Sequence, residues 1–351
     1  MDESSAALPA DTSLRDIPLE QRLYMRSPVG TLATTCTVFV FLAGSFLALA
    51  ALDHVATITS SARGISISQL AWSALVLSLL CSTALGMQRY ARLGEAPERA
   101  AYAKILTGGM QSALNLTGPD VPDARLGRAT VVGVIFGFSL SAVIRVVEIR
   151  EGHPTAPGPM VWFIFATTLL SILFARGVEQ SRAGNRAYGD ILKAELKIDL
   201  LRIDTLSVLG RAAARTSLIW FVVSAVACLF FVGGDLNWLT IALIVSCGAM
   251  GIAMFVSVMS RVHRRIMAAK AAELEHIRRQ IDVMRATMHA DDHAAARMHG
   301  LLAYEKRVVD AQEWPFDQST LVRVGASALI LTVPWFGQAI AQYVVEHLSH
   351  G

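Results

Sequence analysis

Seven apolar stretches of membrane-spanning length alternate with polar loops whose Lys and Arg fall almost entirely on one side, and this pattern restricts the chain to a polytopic helical membrane protein. The stretches run from Thr31 to Leu52, Gln69 to Met87, Ala129 to Val147, Met160 to Ala175, Ser217 to Gly233, Trp238 to Met259 and Val324 to Val345. A helix rising about 1.5 Å per residue needs about 20 apolar residues to cross a hydrocarbon core of about 30 Å. The fourth stretch is the shortest and starts beside Pro157 and Pro159. The seventh contains Pro334, Gln338 and Gln342, so it is either a full span or a re-entrant, interfacial segment. Only 17% of residues are charged, against about 25% in soluble domains. The expected fold class is therefore all-α: a polytopic transmembrane helix bundle of about seven spans, six if the last is re-entrant, with cytoplasmic helical extensions.

Orientation follows from the basic residues. Alternate polar stretches, beginning with the N-terminal tail, hold three, six, eight and ten of them, with Arg323 besides at the border of the seventh stretch, whereas those between hold one, two (counting Arg145 near the end of the third stretch) and none. Cytoplasmic loops retain Lys and Arg, so the N-terminus is expected in the cytoplasm and the C-terminus outside. Trp72, Trp162, Trp220, Trp238 and Trp314 lie within a few residues of expected span ends, where amphipathic indoles favour the headgroup region. The acidic tail lacks the short apolar core and cleavage site of a secretory signal. Arg supplies 26 of the 31 basic residues, a bias associated with GC-rich bacterial coding, which points to a bacterial inner membrane.

These features divide the chain into a cytoplasmic tail (1–30), a six-span bundle (31–260) with cytoplasmic loops at 88–128 and 176–216, a charged helical hairpin or coiled coil (261–320), and a C-terminal span with a short exterior tail (321–351). The exterior loops are short, so the cytoplasmic stretches hold nearly all the polar chemistry. The first suggests a helix from Pro97 to about Leu116, ended by a Gly-Pro-Asp-Val-Pro-Asp turn. The second carries helical periodicity from Ile191 to Leu209 and suits either the lipid surface or packing on its neighbours. In the third, Lys270, Leu274, Ile277, Ile281, Met284 and Met288 follow in steps of three and four, a heptad seam continuing from the sixth span. Leu301, Tyr304 and Val308 repeat the spacing, so the seam serves either a self-contained antiparallel pair or an intermolecular coiled coil.

Motifs for chemistry are missing. His289 and His293 share one helix face with Asp292 and His299 nearby, but Ala290 stands where a zinc-protease helix needs Glu, and no third ligand is fixed. All four cysteines, Cys36, Cys81, Cys228 and Cys247, fall in apolar spans without metal or disulfide spacing. No Walker sequence, nucleophile elbow or dinucleotide signature occurs. No catalytic residue, metal or cofactor is therefore expected, and no nucleic-acid partner. Arg145, with Glu148 three residues on, is the one ionisable group approaching a span interior, near enough to the end to snorkel.

Helix packing is expected at Gly133, Gly137 and Ser141, which recur at four-residue spacing in the third span and permit close backbone approach. The sixth span, with Gly248 and Gly251 among small residues, is their expected partner.

Asp199 to Arg215, Arg261 to Leu274 and Glu313-Trp-Pro-Phe-Asp317 resemble an uncharacterised family of multispanning bacterial inner-membrane proteins, over about the C-terminal half. The resemblance implies no activity. It suggests that the helix after the sixth span and the Trp-Pro-Phe-Asp turn are a recurring unit, with Pro315 setting chain direction and Trp314 and Phe316 as interface anchors.

The expected function is a non-enzymatic membrane scaffold, sensor or assembly subunit with a cytoplasmic helical interaction face. Its partners would be the lipid bilayer and either a homo-oligomer or another membrane or cytoplasmic protein. The alternative is a channel or transporter for a neutral solute, or a membrane subunit of a larger transport complex.

Overall fold

The computed structural model describes Tyr24 and residues 30–61, 64–106, 108–109, 111, 121–150, 155–193, 207–233, 238–287, 294–311 and 314. The first span is α1 (Thr31–Leu52), followed by a two-stranded ribbon, β1 (Ile58–Ser61) and β2 (Gly64–Ile67), paired antiparallel with Ile58 opposite Ile67. Ser68 caps the second span, α2 (Gln69–Leu93), its hydroxyl accepting from the Ala71 amide. Gly94 separates α2 from the short α3 (Glu95–Ile105), whose first turn carries Glu95 and Glu98 where the helix dipole favours carboxylates. The remaining helices are α4 (Asp123–Arg150), α5 (Pro157–Lys193), α6 (Ser207–Ala227) with a 3-10 extension (Cys228–Gly233), α7 (Trp238–Thr287) and α8 (Ala294–Asp310).

Six helical segments among the described residues are long and apolar enough to cross a membrane. They correspond to α1, α2 with α3, α4, α5, α6 and α7. The seventh apolar stretch, from Val324 to Val345, lies outside the described residues, as do Met288, His289, His293 and Phe316. An all-α membrane bundle is the architecture, with the small ribbon at one turn as its local exception.

Lipid exposure explains the surface of α4. Val131, Val132, Ile135, Phe136 and Phe138 are all more than half exposed, a face that hydrocarbon solvates but water would not. Its opposite face buries Gly133, Gly137 and Ser141. A Cβ on Gly133 would stand 2.6 Å from Ile172 Cα, and one on Gly137 would stand 2.5 Å from Thr168 Cα. The partner is thus α5, the helix next in sequence, and not the sixth span. The close approach needs backbone opposite backbone, and the antiparallel hairpin supplies it directly. The sixth span, α7, packs instead on α6, where Gly251 faces Phe221 and the Ser217 carbonyl and Gly248 faces Ser224.

Three apolar cores stack along the bundle. At the ribbon end, Phe46 sets its ring edge-on to Trp162 and Phe163 beside Ala74 and Cys81. The Trp162 indole donates to Leu42 O at 3.2 Å and Ser45 Oγ at 3.0 Å, which satisfies its only polar group. The middle core joins Leu80, Trp220, Cys228 and Cys247. At the charged end, Tyr102, Ile191, Leu209, Ile266, Ile277 and Val308 form the third.

One helix end differs from the sequence expectation. The helix expected from Pro97 to Leu116 stops at Ile105, because Leu106 is extended. The seam helix does continue from the sixth span: α7 runs unbroken past residue 260 for 50 residues, ~75 Å at the ordinary helical rise, into the charged hairpin.

Candidate functional site

A cavity of about 410 Å³ opens where α2, α3, the N-terminus of α4, α5, α6 and α7 converge at the charged end. Its volume falls within the roughly 300–1,000 Å³ typical of small-molecule sites. The walls arise because three helices run past their apolar segments: α2 beyond Met87, α5 beyond Ala175 and α6 before Ser217. Each therefore carries polar side chains into space that the bundle still encloses.

Gly94 makes one corner. It is helical in φ and ψ, so no left-handed conformation calls for glycine there. A Cβ would, however, stand 0.9 Å from the Arg215 guanidinium, so the missing side chain is the room that Arg215 occupies. From that position Arg215 reaches Glu98 at 2.9 Å, with both side chains about 15% exposed (14% and 16%). Glu98 lies on α3, past the apolar run of the second span, and burial pushes its carboxyl up to about 7 although the Arg215 guanidinium draws it down. Glu95 is shared by Arg99 at 3.4 Å and Arg92 at 3.9 Å.

The apolar wall is held by its own polar contacts. The Trp220 indole donates to Ser181 Oγ at 3.2 Å and stands edge-on to Phe174 with ring centroids 5.2 Å apart. Arg261 of α7 fastens α5 by donating to the Asn185 carbonyl at 3.0 Å and its side-chain oxygen at 2.6 Å. Gln88 is 8% exposed and donates to Leu173 O, but its Oε1, like Gln180 Nε2, is buried with no hydrogen-bond partner among the described residues. Both residues line the cavity. Buried polar atoms are paired in the great majority of cases, so an orphaned acceptor and donor in one chamber mark capacity for a polar ligand.

The expected seam is used inside the chain. Ile277 is buried against Val308, with Leu274, Ile281 and Tyr304 packed alongside, so α7 and α8 form an antiparallel pair. Lys270, the cation in the seam, donates to Val309 O at 2.6 Å and Ala311 O at 3.2 Å, neutralising the C-terminal end of α8. Met284 lies at the partly buried end of α7. Trp314 stacks on His263 at 4.3 Å, which ties the turn after α8 to α7. Arg145 bonds Glu148 at 3.1 Å and Thr155 O at 3.2 Å, holding the α4–α5 turn. Cys36 is exposed and the other three cysteines are buried, all as free thiols. Among the described residues no group of three His, Cys, Asp or Glu is placed to hold a metal.

The cavity was missed in the sequence because its parts look like ordinary loop charges. Glu98 and Arg215 are 117 residues apart, and no spacing rule joins them. Comparison with protein-family models, curated proteins and solved structures yields no match.

Proposed function

We propose that this chain is a non-enzymatic, multi-pass membrane sensor or scaffold, N-terminus cytoplasmic, in which the α7–α8 hairpin is the output face and the cavity is the input. One observation carries the reading. Tyr102, Ile191, Ala213 and Val258 line the cavity, and the same residues belong to the core that seats Ile266, Ile277 and Val308. Close-packed interiors transmit displacement, so filling or distorting the cavity repacks the base of the hairpin. The hairpin's outer surface carries exposed charges such as Arg279 paired with Glu275, suited to a second copy or a protein partner. The basic residues on the loops of this end support a cytoplasmic location, and the Arg-rich composition supports a bacterial inner membrane.

Transport of a neutral solute draws on the same cavity. Against it, the ribbon half of the bundle packs Phe46, Trp162 and Phe163 in edge-to-face contact, and none of the three lines the chamber.

The test is hydrogen exchange on the purified full chain with the cavity partly filled. A Cβ at Gly184 meets nothing within 4 Å, so Gly184→Leu adds volume to the chamber without a backbone clash. Exchange across residues 266–310 should change at least severalfold while that of α1 does not. Identical protection in parent and variant would remove the sensor reading.

A further inference from the structure

We propose that the cavity binds a single-chain amphiphile with an anionic phosphate head and an adjacent hydroxyl, a lysophosphatidic acid type of lipid. The assignment rests on the sensor reading only for its consequence at the hairpin; binding itself is argued from the chamber. Its depth is hydrocarbon-like: Leu170, Phe174, Trp220, Val223 and Met254 form one wall at the level where the spans are still apolar. The mouth has the opposite character. Five arginines line the cavity (92, 99, 125, 186 and 215) against three carboxylates (95, 98 and 190), leaving a formal surplus of two positive charges. Glu95 and Glu98 are engaged by Arg92, Arg99 and Arg215, while Asp190 faces Lys193 at 3.5 Å. Arg125 and Arg186 are matched with no carboxylate among the described residues. Both are exposed at the mouth, and planar guanidinium groups recognise phosphate oxygens through charge-assisted, often bidentate, hydrogen bonds.

The orphaned amide atoms refine the head. Gln180 Nε2 is a donor, as a phosphate oxygen requires. Gln88 Oε1 is an acceptor and can take nothing from a fully ionised phosphate, so it calls for a hydroxyl. The glycerol hydroxyl of a lysophospholipid places such a donor beside its phosphate. At about 410 Å³ the chamber suits one chain and not the pair carried by a diacyl lipid.

Trp220 on the apolar wall gives a direct readout, because bromine on an acyl chain quenches indole emission at contact. The full chain would be placed in discs of zwitterionic diacyl lipid and titrated with lysophosphatidic acid brominated in its chain, with Trp220→Phe reporting emission from the other tryptophans. The expected result is saturable quenching confined to Trp220, at least fivefold tighter than for brominated lysophosphatidylcholine. Gly184→Leu should weaken it about tenfold, and Arg125→Gln with Arg186→Gln should abolish the preference for the anionic lipid. Equal quenching in parent and Trp220→Phe would overturn the site. Indifference to headgroup, or full competition by millimolar inorganic phosphate alone, would overturn the amphiphile. Hydrogen exchange at 266–310 is recorded on the same samples. Specific binding without a hairpin response removes the sensor reading and leaves the site, whereas a Gly184→Leu response without lipid binding does the reverse.

Discussion

Gly94 shows how a small residue can be required for another side chain's sake. Its backbone is ordinary, yet a Cβ there would overlap Arg215 Nη1, so the guanidinium whose Nη2 bonds Glu98 has to shift. Gly94→Ala should therefore lower the thermal midpoint in detergent by disturbing a largely buried ion pair, a cost of about 1–3 kcal/mol. On an Arg215→Gln background the same change should cost much less, because the atoms it displaces are gone. Additive effects in that double-mutant cycle would show that Gly94 serves the chain direction and not Arg215. The partner Glu98 gives a pH signature. Its folded carboxyl is raised from 4.5 to about 7, so the native state binds the proton more tightly than the unfolded chain does. Stability from this group is present at low pH and declines as pH rises from about 4.5 through about 7. The midpoint of the parent should drop between pH 5 and pH 8 relative to Glu98→Gln, which has no proton to lose. Parallel midpoint curves would place Glu98 in a more solvated setting.

At the level of elements, the sequence was most informative where hydrophobic length and small-residue spacing act within one helix. The spans α1, α2, α4, α5, α6 and α7 follow from apolar length alone, and the buried face of α4 follows from Gly133, Gly137 and Ser141. The partner of that face did not follow, since small residues state that a helix comes close but not which one. Likewise the seam through Leu274, Ile277 and Ile281 was visible, and its use within the chain depended on where Val308 meets Ile277 and the Val309 carbonyl meets Lys270. The ribbon at Ile58–Ser61 and Gly64–Ile67 escaped notice because a stretch so short carries little alternation. Leucine at both Gly133 and Gly137 should force α4 from α5, since the obstructing atoms are backbone, and should lower the yield of folded protein severalfold with a shifted midpoint. Leucine at Gly44, where a Cβ meets nothing within 4 Å, is the matched control and should be tolerated. Equal behaviour of the two would mean that α4 stands off α5 in the membrane.

The whole molecule is asymmetric across the bilayer. The turn between α4 and α5 and the ribbon after α1 end close to their spans, whereas α5 has 37 residues and α7 has 50, ~55 Å and ~75 Å of helix against a hydrocarbon core of about 30 Å. The excess lies at one end for both, the end that also holds the cavity, the α7–α8 hairpin and most of the arginines. Desolvating so many cations during insertion is costly, so the end that carries them should be the one never translocated. Reporter fusions after Ile105, Lys193 and Asp310 are expected to read cytoplasmic, and fusions after Ser61 and Thr155 exterior. A fusion at Gly351 reports on the seventh apolar stretch by itself: an exterior signal requires that 324–345 cross the membrane, and a cytoplasmic one requires that they turn back. Exterior signals at Ile105 and Lys193 would invert the protein, move the cavity to the outer surface and exclude a cytoplasmic output through the hairpin.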